Sequence, residues 1–141
     1  MKKLVIDASV AIKWFIPECE EEENTEQAIQ LFKDIQAFKI EPIQPIHWQA
    51  EVIAVLARLT PETNTQNINL LNALNFPVWD NLETYQQASF LSIKLKHHLF
   101  DTLYHAVALE NLALLVTADK KYYNKAKNQG NIILLDDYQT P

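Results

Sequence analysis

The spacing of apolar residues changes repeatedly along this chain, and each change marks a boundary between predicted strands and helices. Short apolar runs typical of buried strands occur at 3–6, 112–117 and 131–136, with weaker ones at 40–45 and 76–80. Between these runs apolar residues recur every three or four positions, as on one face of a helix. The clearest such stripe is Trp48, Val52, Val55, Leu56 and Leu59. Strands and helices are therefore expected to alternate.

Seven helices are predicted between the strands. They cover 9–15, 22–38, the stripe that begins at Trp48, the segment from Thr60 to about Leu74, 83–96, 102–112 and 120–127. Gly130 lies between the last helix and the last strand, where a helix C-cap is expected. Alternation of this kind is typical of a parallel sheet with helices on both faces. We predict an α/β fold, a three-layer α/β/α sandwich, in one domain spanning residues 1–141.

Four acidic residues lie at the ends of predicted strands or on helix edges. Asp7 follows the first strand, Asp119 follows the strand at 112–117, Asp101 precedes a helix, and Glu51 borders the Trp48 stripe. In open α/β sheets ligands bind outside the carboxyl ends of the strands. Buried carboxylates are costly unless they are neutralised, and hard oxygen donors suit Mg²⁺ or Mn²⁺. If the fold gathers these acids, they predict a metal-dependent enzyme that cleaves phosphodiester bonds.

Each acid also has a simpler interpretation, which the sequence leaves open. Asp7, Asp101 and Asp119 precede helices and could act as N-caps, and Glu51 could be an exposed edge residue. The histidines are weaker candidates for metal ligands. His105 could bond to Asp101 along one helix face, His47 is expected to begin its helix, and the adjacent His97 and His98 project in different directions.

Composition narrows the function classes. No apolar run reaches the length of a membrane span, and no glycine-rich loop indicates a nucleotide phosphate site. The single cysteine, Cys19, excludes an internal disulfide and suits the cytoplasm. The net charge of −6 includes a local acidic run at 18–23, while lysines group at 94–96 and 120–127. This distribution permits a nucleic-acid partner without indicating one.

Four segments resemble the four motifs of PIN-domain ribonucleases, most closely the toxins of VapBC-type toxin–antitoxin pairs. They are VIDASVAIKWFIPE, HWQAEVIAVLARL, FDTLYHAVAL and TADKKYYNKAK, and the resemblance covers about residues 3–136. It implies a five-stranded parallel sheet of order 3-2-1-4-5. It also implies a metal-dependent endoribonuclease, the toxin of a type II pair. Ala54 departs from an asparagine common in the second motif.

The resemblance also assigns residues and partners. Asp7, Glu51, Asp101 and Asp119 are expected to bind Mg²⁺ or Mn²⁺, with Ser9 and Thr117 orienting them. An RNA substrate, a small antitoxin and a homodimer are expected partners. We place the antitoxin groove beside the first helix and the second helix, where the apolar candidates are Trp14, Phe15, Leu31 and Phe32.

Three other classes compete with the nuclease hypothesis. A phosphotransfer receiver domain needs an acidic pair after the first strand, where this chain has Asp7-Ala8. A haloacid-dehalogenase-type phosphatase needs a second Asp where Ser9 stands. A PIN-like module that only binds a partner would lack one of the four acids, and all four are present. The nuclease hypothesis is therefore favoured.

Overall fold

The computed structural model describes residues 2–16 and 24–141, so Cys19 and the acidic run at 18–23 lie outside the described part. Its strands are β1 (Lys2–Ile6), β2 (Ile40–Pro42), β3 (Leu114–Thr117) and β4 (Ile132–Leu134). Its helices are α1 (Ala8–Ala11), α2 (Thr25–Gln36), α3 (Trp48–Leu59), α4 (Asn64–Ala73), α5 (Leu82–Leu95), α6 (Leu99–Glu110) and α7 (Lys120–Ala126). Strands and helices follow one another in the predicted order, except that no strand forms in the described segment between α4 and α5.

The four strands form one parallel sheet of order β2-β1-β3-β4, flanked by helices. The prediction of a strand at 76–80, the third along the chain, is wrong, so the described sheet has four strands instead of five. That segment makes a single parallel bridge, from Val78 to Gln44, on the outer side of β2. It occupies the edge position that the predicted order assigns to it. Two prolines interrupt donation along this edge, Pro42 in β2 and Pro77 in the segment itself, because proline has no N–H.

At the carboxyl end of β1, the Gln44 side chain makes the backbone hydrogen bonds that a neighbouring strand residue would otherwise make. Its buried side chain accepts a hydrogen bond from the Ile6 N–H (2.7 Å) and donates one to the Ile6 carbonyl (2.8 Å). Its backbone donates to the Pro77 carbonyl and accepts from the Trp79 N–H, both at 2.9 Å. One residue thus joins the sheet edge to the end of β1. That end carries Asp7.

The core lies between the sheet and the helices. Leu4, Val5 and Ile6 of β1 are fully buried, and in α6 every residue from Thr102 to Ala108 is buried. A helix that is apolar nearly all round is expected in a protein interior. Helix α6 packs against β1 and β3, and Asp101 in its first turn lies close enough to Asp7, after β1, to influence its charge. The predicted stripe of α3 is confirmed at Trp48, Val52 and Leu56, which are buried.

The start of α6 and the turn after α7 bear on two sequence expectations. Helix α6 begins at Leu99, three residues before the predicted start, so Asp101 lies inside its first turn. Gly130 ends the turn after α7 with φ of 80°, as its position between helix and strand predicts. Within the described ranges, no helix has both the length and the apolarity needed to cross a membrane.

Candidate functional site

Asp7 follows β1 directly, and two hydroxyl groups hold its carboxylate. Ser9 Oγ donates to Asp7 Oδ2 at 2.5 Å, and Thr117 Oγ1 donates to the same oxygen at 3.0 Å. Asp7 occupies the N-cap position of α1, as the capping interpretation expects, but among the described residues its side chain makes no capping hydrogen bond. Ser9 and Thr117 contact Asp7 as the resemblance implies.

Burial of this carboxylate raises the pKa of Asp7 to about 6. The negative charges of Asp101 and Glu51 raise it further, whereas the hydrogen bonds from Ser9 and Thr117 lower it. The electrostatic influence of Asp101 and Glu51 places three acids from β1, α3 and α6 in one neighbourhood. These acids are far apart in the sequence, so the fold brings them together.

Asp119 is positioned by the end of β3 and the start of α7. Its Oδ1 accepts a hydrogen bond from the Tyr122 N–H at 3.0 Å, so the capping interpretation is correct for Asp119. Its own N–H donates to Thr117 Oγ1, and the neighbouring Ala118 N–H donates to Ser9 Oγ, both at 3.0 Å. The hydroxyls of Ser9 and Thr117 therefore join the ends of β1 and β3 to the Asp7 carboxylate. Because Oδ1 makes the capping bond, Oδ2 of Asp119 remains available as a ligand atom.

Glu51 and Asp101 lie in the first turns of α3 and α6, and each has a histidine four residues before it. His47 Nε2 is 3.3 Å from Glu51 Oε1, and His97 Nε2 is 2.7 Å from Asp101 Oδ2. About a third of each carboxylate side chain is exposed, 30% and 36% respectively. These two acids form the solvent-facing rim of the cluster, while Asp7 lies beneath them.

The groups around His47 shift its pKa in opposite directions. Burial lowers the pKa of His47, but hydrogen bonds to Glu51 and to the Phe100 carbonyl, with the charge of Asp101, raise it overall. The Phe100 carbonyl is 2.7 Å from His47 Nε2, so this ring also links α3 to the start of α6. His47 directly precedes α3, as its expected place at the start of that helix requires.

His97 lies closer to the acids than the sequence predicts, and His105 does not reach them. Ligand atoms of His97, Asp101 and Asp119 lie within 4.8 Å of one another, close enough to share a metal ion. The expected contact of His105 with Asp101 is replaced by bonds to the Tyr122 hydroxyl (2.9 Å) and the Gly130 carbonyl (2.7 Å). Burial lowers the pKa of His105. The sequence signal for His97 is its spacing of four from Asp101, which brings the two side chains together.

Tyr104 provides a test of whether a cation fits this site. Its hydroxyl is buried and makes no hydrogen bond of normal geometry within the part of the chain that the structure describes, although the Glu51 carboxylate lies close to it. Burial, together with the charges of Asp7, Glu51 and Asp101, raises the pKa of Tyr104. The hydroxyl therefore faces the acid cluster as a neutral group. A hydrated divalent ion fits both features, because it neutralises carboxylates and brings water to unpaired polar atoms.

Fold and site together define a parallel α/β protein with a cluster of carboxylates at the carboxyl edge of its sheet. The sequence model of the PIN domain family matches residues 4–128. The chain belongs to the PIN domain family, whose members are generally nucleases. No curated protein matches this chain in sequence.

Solved structures with the same fold include a toxin–antitoxin complex. A toxin–antitoxin complex from Klebsiella pneumoniae superposes with a TM-score of 0.64 at 14% identity, covering 94% of this chain and 97% of that one. FitAcB from Neisseria gonorrhoeae gives 0.63 at 14% identity, covering 96% and 99%. FitAB bound to an IR36 DNA fragment gives 0.63 at 13% identity, covering 96% and 97%. At these identities the likeness is one of fold.

Proposed function

We propose that this protein is a divalent-metal-dependent endoribonuclease that acts in the cytoplasm as the toxin of a toxin–antitoxin pair. The observations that carry the proposal are the charge effects of Asp101 and Glu51 on Asp7 and the closeness of Asp101 and Asp119, whose ligand atoms lie within 4.8 Å of each other and of His97. Membership of a family of nucleases supports it. The same membership argues against the phosphotransfer and phosphatase alternatives.

The proposed metal ligands are the four carboxylates, and the surrounding residues hold them in place. Ser9 and Thr117 fix the orientation of Asp7, and the N-cap bond to Tyr122 fixes Asp119. His97 contacts Asp101 and lies close enough to join the ligand set. A bound Mg²⁺ or Mn²⁺ supplies Lewis-acid activation of water and neutralises charge on the phosphodiester. The partly exposed Glu51 and Asp101 leave the rim accessible to a substrate.

A cleavage assay tests this proposal. Labelled single-stranded RNA and DNA of the same sequence are incubated with the protein in Mg²⁺, in Mn²⁺ and in EDTA. We expect metal-dependent cleavage of RNA, reduced by at least two orders of magnitude in Asp101→Asn. Asp80→Asn is the matched control, because Asp80 is an exposed acid outside the cluster. RNA cleavage by Asp101→Asn at the wild-type rate would contradict the proposal. Preferential cleavage of DNA would contradict the assignment of RNA as the substrate.

An antitoxin is proposed to bind an apolar groove of about 200 Å³ that runs between α2, α4 and the turn after α1. Its walls are Trp14, Phe15, Ile29, Phe32, Leu70 and Leu74. The expectation for Phe32 agrees with this geometry, whereas Leu31 is fully buried in the core and does not line the groove. The acidic run at 18–23, expected to attract a basic partner, lies outside the described residues. The toxin–antitoxin complex of the same fold supports this class of partner.

Substitution in the groove tests the antitoxin proposal. Leu70→Glu places a charge on an apolar wall that is 60% exposed, so the folded protein should lose co-purification with the small protein encoded beside it. Leu112→Glu is the control, since Leu112 is 89% exposed and lies outside the groove. Equal retention of the partner by both variants would contradict this groove as its binding site.

A homodimer is proposed on a different surface. Leu82, Phe90 and Ile93 of α5 are apolar and between 58% and 78% exposed. Exposed apolar side chains along one helix are typical of association surfaces. Sedimentation equilibrium should give the mass of two chains, and Ile93→Glu should lower it to one. A monomeric wild-type protein at micromolar concentration would contradict the dimer.

A further inference from the structure

Two groups of lysines that are far apart in sequence meet in one pocket. Lys96 ends α5, whereas Lys121 and Lys125 belong to α7. The pocket has a volume of about 450 Å³ and is lined by Ser92, Lys96, His97, His98, Lys121 and Lys125. Lys125 Nζ donates a hydrogen bond to the Lys96 carbonyl at 3.2 Å, which ties the two elements together. Within the described chain, three lysines and no acidic residue line this pocket.

His97 forms the wall between this cationic pocket and the acid cluster. One ring nitrogen, Nε2, lies 2.7 Å from Asp101 Oδ2, and the other, Nδ1, lies 3.2 Å from Lys125 Nζ. The ring packs against Tyr122, with centroids 4.8 Å apart. The positive pocket therefore begins one side chain away from the carboxylates. A ligand that spans both would pass over His97.

This juxtaposition answers an electrostatic difficulty of the proposed reaction. The protein carries a net charge of −6, and its acid cluster repels a phosphodiester chain. An ion at the carboxylates can attract one phosphate, but the neighbouring phosphates still need compensating charge. Lysine ammonium groups are common phosphate partners and bind them without regard to base sequence. The cationic pocket supplies that charge beside the acids.

We propose that the cationic pocket binds a backbone phosphate of the substrate strand, next to the phosphodiester presented to the acid cluster. This inference rests on the proposed nuclease function and deepens it. It assigns Lys96 and Lys121 as direct phosphate contacts. Lys125 is assigned a positioning role as well, because it contacts both His97 and the Lys96 carbonyl.

Binding measurements with a matched pair of double variants test the pocket. The ligand is a fluorescent single-stranded RNA 12-mer, and all proteins carry Asp7→Asn so that RNA is not consumed. The test protein adds Lys96→Gln and Lys121→Gln. The control adds Lys2→Gln and Lys3→Gln, which remove the same charge from exposed positions at the opposite end of β1. Anisotropy gives Kd at several salt concentrations, and circular dichroism verifies that each variant is folded.

We expect the pocket variant to bind about tenfold or more weakly and the control to change about twofold or less. The slope of log K against log salt should fall by about 0.7 for the pocket variant, because one phosphate of the single strand loses its neutralising contact. A Lys96→Arg/Lys121→Arg protein should keep both the affinity and the slope.

Three results would overturn the pocket. They are an unchanged Kd in the pocket variant, equal reductions in affinity in the pocket variant and the control, and normal RNA binding with loss of an acidic protein partner. Failure of the proposed nuclease function would give a different set of results. In that case the Asp7→Asn protein with all its lysines intact does not bind RNA and the wild type does not cleave it, and the pocket assignment falls with the function.

Discussion

Opposing influences act on the Asp7 carboxylate, and together they raise its pKa towards neutral pH. Burial and the charges of Asp101 and Glu51 favour the protonated form, while the hydroxyls of Ser9 and Thr117 favour the ionised form. The result is a pKa of about 6, against an ordinary value of 3.8. Without a cation, an ionised Asp7 is therefore a source of instability above that pH. Such destabilised groups are typical of sites that bind a charged ligand.

Asp7→Asn should stabilise the metal-free protein at pH 7.5. Because the folded-state pKa is raised, the folded protein holds the proton while the unfolded chain loses it, so wild-type stability falls as pH rises between about 4 and 6. The uncharged Asn avoids that loss, which is worth roughly 1–3 kcal/mol. Urea unfolding in EDTA at pH 7.5 and at pH 4 measures it. An advantage that is equal at both pH values, or absent at pH 7.5, would contradict this account of Asp7.

At the scale of secondary structure, β1 and its neighbouring strands position the site. The Gln44 side chain completes the hydrogen bonding at the end of β1. The prolines along this edge limit its backbone hydrogen bonding, and the Gln44 amide satisfies the Ile6 N–H and carbonyl in place of a longer β2. The end of β1 is thereby held directly before Asp7. This arrangement could not be predicted from the sequence, because a glutamine in a proline-rich segment resembles an ordinary loop residue.

Gln44→Leu should destabilise the protein by roughly 2–4 kcal/mol, since it keeps the side-chain volume but leaves two buried polar groups of Ile6 unpaired. Gln66→Leu on exposed α4 is the control and should change stability by about 0.5 kcal/mol or less. Chemical denaturation of both variants gives the comparison. A Gln44→Leu protein as stable as the control would show that the amide does not support β1.

The fold and the site were predictable from the sequence to different degrees. Strongly apolar runs located β1, β3 and β4, because buried parallel strands leave a clear signal. The segment at 76–80 failed as a strand because an edge position needs few hydrogen bonds, and one bridge satisfies it. The capping and ligand interpretations of Asp119 proved compatible, since one oxygen caps α7. Contacts between distant segments, such as Lys96 with Lys125, have no local pattern and required the structure.

At the scale of the whole molecule, charge is separated over a short distance. Asp101 and Asp119 lie on one side of His97, and the lysines around the end of α5 and in α7 lie on its other side. The sum of −6 conceals this separation. Such a surface suits the proposed binding of a cation beside a polyanion, which is the requirement for metal-assisted cleavage of nucleic acid. The central claim is therefore that the four acids form one cation site.

Manganese binding tests that claim most directly. Free Mn²⁺ gives a six-line paramagnetic resonance signal that disappears on binding, so titration of the protein reports occupancy without any substrate. We expect the wild type and Asp80→Asn to bind Mn²⁺ equally, and Asp7→Asn to bind at least about tenfold more weakly, because it removes one charged ligand and leaves the fold intact. Identical binding curves for the wild type and Asp7→Asn, or no binding by the wild type at millimolar Mn²⁺, would contradict it.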